Sequence, residues 1–240
     1  MDRPSLPSED EQFEAYATVA KSMGSREVII RTLDIGGDKS VPYLEIPKED
    51  NPFLGYRAIR YCLDNPDMFK MQLRAILKAA YFGNIKIMLP LITDVEEVKC
   101  ARALIAECEA ELEYEGALFR KTVPVGVMIE TTAAVLIADD LAKIADFFSI
   151  GTNDLTGYVM AVDRGNGKVS GLYSVHRQAV LKAIEMTIQS AKKAGIPVGM
   201  CGESAAECEF IPRLVEWGLD EFSVSPNSIL KTRKAICECN

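Results

Sequence analysis

Short apolar runs rich in Val, Ile and Phe alternate along the chain with longer stretches in which apolar residues recur every three to four positions. Each short run predicts a buried strand, and each longer stretch predicts an amphipathic helix. Six strands are predicted in this way, beginning at Val28 (VIIRTLD), Lys86 (KIMLPLI), Pro124 (PVGVMIE), Asp146 (DFFSIGTND), Pro197 (PVGMCGE) and Glu221 (EFSVSP). An extended stretch at Asn51 (NPFLGYRAIR) predicts a seventh strand, followed by a helix that ends near Asn65.

Two of the predicted helices have clear boundaries in the sequence. One begins at Asp94, a favoured N-capping residue, which is followed three positions later by Glu97. The other begins at His176 and ends at Gly195, a residue type favoured at helix C-termini. The alternation of strands and helices predicts an α/β fold with a parallel sheet.

Seven strands are one fewer than the eight of a (β/α)8 TIM barrel, the commonest closed form of this pattern at about 250 residues. An open doubly wound sheet is the alternative, but the chain contains no GxGxxG loop to support it. No Pro-, Gly- or Ser-rich linker divides the 240 residues, so we expect one domain over 1–240.

The charge balance narrows the possible partners. The chain has 27 basic and 35 acidic side chains, a net charge of −8, which argues against wrapping nucleic acid or binding an anionic membrane. A small anion could still be bound by a few arginines, because charges act locally within about 10 Å at 0.1 M salt. No apolar run reaches 18 residues and no signal-peptide pattern opens the chain, so we expect no membrane insertion and a cytoplasmic protein.

Polar residues stand where several predicted strands end. In parallel α/β folds the reactive groups collect at the carboxyl ends of the strands, so we expect these residues to face one opening. The candidates at or near strand ends are Arg31, Arg57, Glu130, Asn153, Asp154, Arg164 and Cys201.

Two carboxylates on different strands, Glu130 and Asp154, form the kind of oxygen pair that Mg²⁺ prefers when it keeps waters and takes substrate oxygens. The alternative for each is that it caps the helix that follows it. The three arginines each offer a planar fork of donors suited to phosphate or carboxylate oxygens, and a solvated salt bridge is the alternative for any one of them.

The cysteines and the single histidine are judged by their positions. Cys201 stands between Gly199 and Gly202, so its thiol could be reachable, with a buried structural cysteine as the alternative. The cysteines at 62, 100, 108 and 208 are interpreted as small hydrophobic residues, and Cys237 with Cys239 is a weak metal signal. Reduced thiols are expected, and His176 is predicted to lie on the surface at the start of a helix.

Six strings then occur in a fixed order: RTLDIGGDK, NPFLGYRAIR, GVMIET, DFFSIGTNDLT, AVDRGN and GMCGE. They resemble the C-terminal phosphoenolpyruvate-binding barrel of enzyme I of the bacterial sugar phosphotransferase system, from Met1 nearly to Asn240. The related pyruvate phosphate dikinase and phosphoenolpyruvate synthase share GTNDLT and CG, whereas IGGDK and GMCGES are similar to enzyme I. The resemblance implies a (β/α)8 barrel of the phosphoenolpyruvate/pyruvate type.

The resemblance also implies an activity. The domain would bind phosphoenolpyruvate with Mg²⁺ and donate the phosphoryl group to a histidine on a separate N-terminal domain, releasing pyruvate. That histidine would serve the histidine-containing phosphocarrier protein, as the first step of sugar uptake, in a cytoplasmic homodimer. Carried over by motif, Glu130 and Asp154 would bind Mg²⁺, and Cys201 would protonate the enolate carbon. The implied substrate ligands are Arg31, Asn153, Asp154 and Arg164, with Arg57 and Lys39 nearby.

The chain departs from the family pattern in several places. The family barrel opens with a strand and an arginine in a GLxRTEFLY-like segment, and this chain starts past it at MDRPSLP. We therefore expect one strand, one phosphate-binding arginine and the N-terminal phosphohistidine domain to be absent, as in a fragment of a longer enzyme. Beside the site, Thr132 replaces Pro, Gly157 replaces Gln, and LYSV at 172–175 replaces LYQP.

The same residues leave two other functions open. A Mg²⁺-dependent lyase or aldolase on a related barrel could share the same Glu, Asp and Arg residues, and would cleave a carbon–carbon bond without a phosphohistidine partner. A non-catalytic binding or dimerisation module would remain folded without binding phosphoenolpyruvate.

Overall fold

Strands and helices alternate through the chain as the hydrophobic pattern predicts. The computed structural model describes residues 5–35, 44 and 46–239. Its strands are β1 (Glu27–Arg31), β2 (Asn84–Leu89), β3 (Val125–Ile129), β4 (Phe148–Gly151), β5 (Val198–Cys201) and β6 (Glu221–Ser223).

The helices of the described residues lie mostly between these strands. None of them is long and apolar enough to cross a bilayer. They are α1 (Glu9–Met23), α2 (Ala58–Asp64), α3 (Pro66–Ala79), α4 (Val95–Tyr114), α5 (Thr132–Leu136), α6 (Ala138–Leu141), α7 (Thr152–Met160), α8 (Gln178–Ala194), α9 (Ile211–Trp217) and α10 (Ile229–Cys237).

The chain divides into two compact units. The first consists of residues 1–91 and 96–125, and the second of residues 92–95 and 126–240. In the first unit, β1 pairs in parallel with β2, so that Val28 lies opposite Ile85 and Ile30 opposite Ile87. These β-branched residues give the strands their apolar faces.

Helices α1 and α3 of the first unit pack against each other. The α3 face that turns inward is fully buried through Phe69, Leu73 and Ile76. On its outer side, Arg74 donates to Glu9 of α1 at 2.8 Å and to Glu115, just after α4, at 2.7 Å. An apolar contact surface and a partly exposed ion network therefore both hold α3 in place.

In the second unit, strands β3 to β6 pair in parallel in chain order. Every residue of β3 and β4 is buried, as expected for strands covered on both faces. Helix α8 packs on β4 and β5 and ends at Gly195, whose φ of +73° is the left-handed conformation that favours glycine. The register sets Ile129 opposite Ile150 and Gly151 opposite Cys201.

Six of the seven predicted strands are confirmed, and the seventh is wrong. The stretch at Asn51 forms a 3₁₀ turn over Pro52–Leu54, with the Leu54 N–H donating to the Asn51 carbonyl at 2.9 Å. Pro52 suits the first position of such a turn because it has no N–H to satisfy and a fixed φ. The parallel α/β class is confirmed, and the closed barrel and the single domain over 1–240 stay predictions.

Candidate active site

The strand ends of the second unit bring most of the predicted residues to one edge of its sheet. Glu130 directly follows β3, Cys201 is the last residue of β5, and Asn153 and Asp154 lie in the first turn of α7, directly after β4. Because these strands are parallel and in register, their carboxyl ends share an edge. The placement predicted for these four residues is confirmed.

The carboxylate of Glu130 is buried against the backbone of β4. Glu130 is only 3% exposed. A Cβ built on Gly151 would lie 2.7 Å from the Glu130 Oε2 atom, so the carboxylate occupies space that only a glycine leaves open. Gly151 is three residues before Asp154, which places the Glu130 carboxylate over the strand end that leads to Asp154.

Neither carboxylate is an N-cap. Thr131 caps α5 by accepting a hydrogen bond from the Ala134 N–H at 3.0 Å. Helix α7 has Gly151 at its N-cap position and no side-chain cap, and half-buried Asp154 is its third residue. The capping alternative for Glu130 and Asp154 is therefore wrong.

A chain of hydroxyl groups fixes the backbone of Cys201. The Thr152 hydroxyl donates to the Cys201 carbonyl at 2.9 Å, and the Ser204 hydroxyl donates to Thr152 Oγ1 at 2.8 Å. Both hydroxyl side chains are buried, whereas Cys201 is partly exposed. Gly202, with φ of +104°, lets the chain pass so close that a Cβ there would lie 2.3 Å from Thr152 Oγ1. The buried-thiol alternative for Cys201 is thus not supported.

Tyr173 is bonded to one of the predicted residues and lies near others. Its hydroxyl donates to the Asn153 carbonyl at 2.8 Å. Burial raises the pKa of Tyr173, while Arg164 lowers it and Asp154 raises it further. Both charged residues therefore lie near the Tyr173 hydroxyl.

The remaining arginine candidates lie in the first unit, around Asp34. Arg57 is 7% exposed and holds Asp34 through two hydrogen bonds, Nε to Oδ1 at 3.0 Å and Nη2 to Oδ2 at 2.8 Å. Arg31, the last residue of β1 and far more exposed, reaches the same carboxylate at 3.6 Å. The solvated salt bridge considered for Arg57 is wrong, because this pair is buried. Lys39 lies outside the described residues.

The cysteines at 62, 100 and 108 and the histidine are not among the site candidates. Burial raises the pKa of Cys62 and of Cys108 to about 12, with the nearby carboxylates of Asp34 and Glu111 adding to the shift. Cys62 and Cys108 are buried, which suits their interpretation as small hydrophobic residues, whereas Cys100 is exposed on α4 and does not fit it. His176 is exposed just before α8, as predicted, and pairs with Glu207 at 2.6 Å.

Sequence reasoning missed three residues that hold the candidates in place: Asp34, Thr152 and Tyr173. Asp34 and Thr152 stand inside RTLDIGGDK and DFFSIGTNDLT, so the motifs contained them. Their roles were invisible, because a hydrogen bond to a residue 23 or 49 positions away leaves no local pattern. Tyr173 lies in LYSV, where only the departures from the family pattern drew notice.

The second unit offers two carboxylates to a metal ion rather than a complete cage. No group of three or more His, Cys, Asp or Glu side chains suited to a metal occurs in the described part of the chain. Mg²⁺ is commonly bound through one or two carboxylates, with waters and substrate oxygens completing six ligands. The space that Gly151 leaves for the Glu130 carboxylate, together with the oxygen-only donors, fits that ion.

These features place polar side chains at the carboxyl ends of parallel strands, where α/β folds bind their ligands. A family profile described as PEP-utilising enzyme, PEP-binding domain matches residues 1–240. The chain belongs to this family, in which PEP is phosphoenolpyruvate. The resemblance stated from the motifs is confirmed.

Individual relatives carry a more specific name. The chain is 52% identical over 236 residues to the phosphoenolpyruvate-protein phosphotransferases of Priestia megaterium and Bacillus subtilis, which covers 98% of this chain and 41% of each relative. It is 48% identical over 240 residues to that of Staphylococcus carnosus, covering 100% and 42%. The chain therefore spans about two fifths of the length of these relatives.

Solved structures are similar in fold. A citrate lyase from Burkholderia xenovorans has a TM-score of 0.54 and 22% identity, covering 70% of this chain and 53% of that protein. A malate synthase from Haloferax volcanii has a TM-score of 0.53 and 16% identity, covering 72% and 52%. At such low identity the likeness shows a shared α/β fold and nothing about activity.

Proposed function

We propose that this chain is the phosphoenolpyruvate-binding domain of a phosphoenolpyruvate-protein phosphotransferase, on a (β/α)8 barrel of the phosphoenolpyruvate/pyruvate type. It binds phosphoenolpyruvate with Mg²⁺ and donates the phosphoryl group to a histidine of an N-terminal domain, releasing pyruvate. The observation that carries the proposal is the buried Glu130 carboxylate, seated over Gly151 at the strand edge that also presents Asp154 and Cys201.

Glu130 and Asp154 would hold the metal ion. When bound, Mg²⁺ supplies positive charge against the oxygens of the substrate and so favours the enolate that forms as the phosphoryl group leaves.

The arginines and Asn153 would hold the anionic substrate. Arg164 and Arg31 are exposed enough to meet a ligand, and each offers the donor fork that matches phosphate or carboxylate. Arg57 spends two of its hydrogen bonds on Asp34, so its expected contribution is to order the end of β1 as well as to add positive charge. Lys39 is proposed as a further ligand on the motif match alone.

The transfer can be written with every atom accounted for. The bond between phosphorus and the enolic oxygen breaks, its electron pair stays on that oxygen, and phosphorus bonds to an imidazole nitrogen of the acceptor histidine. The Cys201 thiol donates its proton to the terminal carbon of the enolate, which gives pyruvate and a thiolate that regains a proton from water. A thiol is an effective donor at pH 7 because its unperturbed pKa is about 8.5.

The wider setting is proposed from the family. The acceptor domain would pass the phosphoryl group to the histidine-containing phosphocarrier protein, as the first step of sugar uptake in the cytoplasm. We expect the protein to work as a homodimer, without nucleic acid or membrane insertion. Sedimentation equilibrium of the purified chain tests the dimer.

The test is exchange of the methyl protons of pyruvate with D₂O, followed by ¹H NMR. The reaction runs enolate protonation in both directions and needs no acceptor domain. We expect exchange that requires Mg²⁺ and is reduced at least about 100-fold in Cys201→Ala and in Glu130→Gln. Cys208→Ala, which removes another partly exposed thiol of the same unit, is the matched control and should leave the rate unchanged.

Two outcomes would overturn the proposal. Exchange that proceeds equally well in Cys201→Ala, with metal binding intact, would remove the proton-donor role. Exchange that is indifferent to Glu130→Gln would remove the metal site.

A further inference from the structure

A buried glutamine of the first unit is bonded to the chain just after β1. Gln72 is 9% exposed and lies on the face of α3 that also carries the fully buried Phe69 and Ile76. Its Oε1 atom accepts a hydrogen bond at 2.9 Å from the N–H of Leu33, which stands 39 positions earlier in the chain. Burying a side-chain amide costs free energy unless it is hydrogen-bonded, whereas an apolar side chain would fill the same space without that cost. Packing alone therefore does not account for a glutamine at position 72.

Two helices hold the backbone of Leu33 by both of its polar groups. Its N–H donates to Gln72 on α3, and its carbonyl accepts a hydrogen bond at 3.8 Å from the thiol of Cys62 on α2. Asp34, the next residue, lies 3.6 Å from the guanidinium of Arg31, the last residue of β1. The bonds to Leu33 thus fix the backbone between these two charged residues.

Gln72 is itself held by a chain of hydrogen bonds that runs in one direction. Its Nε2 atom donates to the Tyr16 hydroxyl at 3.2 Å, this hydroxyl donates to Gln12 Oε1 at 3.2 Å, and Gln12 Nε2 donates to the Pro7 carbonyl at 3.0 Å. A backbone N–H can only donate and a backbone carbonyl can only accept, so the two ends of the chain fix the orientation of both amides. The oxygen of Gln72, rather than its NH₂ group, must therefore face Leu33.

A fixed Leu33 restrains the arginine candidates on both sides of it. Arg31 stands two residues before Leu33, and Asp34, which accepts two hydrogen bonds from Arg57, stands one residue after it. A segment that is ordered before a ligand arrives does not have to be ordered by the ligand, which lowers the cost of binding.

We propose that Gln72 is a positioning residue, which fixes the segment 32–34 through Leu33 and so holds the Arg31 and Arg57 guanidinium groups in the arrangement that receives phosphoenolpyruvate. The identity of the ligand rests on the proposed function, but the fixing of Leu33 does not. Gln72 acts through the backbone, so its removal should weaken ligand binding while the fold survives.

The test compares Gln72→Met with Gln12→Met. Methionine is close to glutamine in length and in helix propensity, so both substitutions keep the helix and remove one amide. Each amide donates one hydrogen bond and accepts one, and Gln12 lies on α1 at the other end of the chain of bonds. Gln12→Met leaves the acceptor of the Leu33 N–H in place, which makes it the matched control.

The first readout is hydrogen exchange of individual amides in D₂O, measured by two-dimensional NMR, and it needs no ligand. We expect the Leu33 amide to exchange about 30-fold faster in Gln72→Met, because its N–H loses an acceptor, and at the parent rate in Gln12→Met. The Ile76 amide, one turn further along α3, should exchange at the parent rate in both variants. A Leu33 rate that is unchanged in Gln72→Met, or that rises only as much as the Ile76 rate, overturns the proposal.

A second variant covers the case in which Gln72→Met does not fold. Tyr16→Phe keeps the ring and the Gln72 oxygen but removes the hydroxyl to which Gln72 donates. We expect the Leu33 amide to exchange about threefold faster in this variant, since Gln72 is less firmly oriented, with the Ile76 rate unchanged. An unchanged Leu33 rate in Tyr16→Phe would then overturn the proposal.

The second readout is calorimetric titration of phosphoenolpyruvate with Mg²⁺ present. We expect about a fivefold higher Kd in Gln72→Met and the parent Kd in Gln12→Met, because only the first variant loosens the segment that holds the arginines. Equal affinity in the two variants overturns the link to ligand binding. If the parent chain binds no phosphoenolpyruvate, the proposed function fails, and the Leu33 exchange rate still decides whether Gln72 fixes the segment.

Discussion

The end of β1 and the ends of β4 and β5 hold their polar residues in different ways. At the end of β1 the polar residues are held by an ion pair. Buried Arg57 donates two hydrogen bonds to Asp34, and Arg31 lies close to the same carboxylate. At the ends of β4 and β5 they are held by neutral hydroxyl groups. The Ser204 hydroxyl donates to Thr152, and the Thr152 hydroxyl donates to the Cys201 carbonyl.

The difference has a chemical consequence. In a buried ion pair the two charged groups use their hydrogen bonds on each other. Fewer donors and acceptors of either group then remain to bind a ligand. Hydroxyl bonds to backbone carbonyls fix the chain while spending none of the charge that the site carries. We infer that the β1 end chiefly supports the structure and that the β4 and β5 ends chiefly present reactive groups.

The largest loss of stability is expected when the ion pair between Arg57 and Asp34 is broken. Asp34→Ala leaves the buried Arg57 guanidinium without that counter-charge, and we expect the free energy of unfolding to fall by about 4 kcal/mol in urea denaturation. Asp140→Ala removes an exposed partner of Lys143 and should change little. Similar losses in the two variants would show that the β1 pair carries no special stability.

The next effect disturbs the hydroxyl arrangement. Gly202→Ala adds a Cβ that meets Thr152 Oγ1, at a φ of +104° that other residues rarely adopt, and should cost about 3 kcal/mol of stability. Gly195→Ala, at φ of +73° with no atom within 4 Å of the new Cβ, should cost about 1 kcal/mol. Thermal unfolding of both proteins gives the comparison, and equal costs would mean that close approach to Thr152 is unimportant.

A smaller effect removes one hydroxyl. Thr152→Val deprives the Cys201 carbonyl of its donor and Ser204 of its acceptor, and we expect a loss of about 2 kcal/mol. The control is Thr187→Val, because the fully buried Thr187 hydroxyl donates only to Ala183 one turn earlier in its own helix. That loss should stay below about 1 kcal/mol in urea denaturation, and a larger cost at Thr187 would contradict a special role for the Thr152 bond.

The smallest effect concerns a buried thiol of the first unit at alkaline pH. Above about pH 9 the unfolded chain loses the Cys62 proton, whereas burial keeps it on the folded chain up to about pH 12. The folded state then binds more protons, so stability falls as pH rises, by about 1.4 kcal/mol between pH 8 and pH 10. Cys108 adds a loss of the same kind, so the fall in stability should be smaller by about 1.4 kcal/mol in Cys62→Ala and unchanged in Cys100→Ala, as urea denaturation at both pH values will show.

The sequence predicted the strand ends well because the signal is local. An apolar run followed by a polar residue identified the ends of β1, β3, β4 and β5, and with them five of the site candidates. These are Arg31, Glu130, Asn153, Asp154 and Cys201. The wrong strand at Asn51 has the same cause, because the prediction used only neighbouring residues. Pro52 and Gly55 allow either an extended strand or a 3₁₀ turn, and packing decides between the two.

The supports of the candidate site could not be predicted in this way. The Thr152 to Cys201 bond joins residues 49 positions apart, and the Tyr173 to Asn153 bond joins residues 20 apart. Such bonds depend on the parallel pairing of β4 with β5 and on the path of one loop, and no short segment of sequence predicts either. The motif resemblance identified the candidate reactive residues but not the residues that hold them in place.

The most direct test of the central claim is calorimetric titration of phosphoenolpyruvate into the chain, with and without Mg²⁺. The matched variants are Glu130→Gln, at the buried carboxylate, and Glu207→Gln, which alters an exposed glutamate of the same unit. The account predicts binding that requires Mg²⁺, is lost in Glu130→Gln and is unchanged in Glu207→Gln. Binding that ignores Glu130, or no binding by the folded parent chain as in a non-catalytic module, would contradict it.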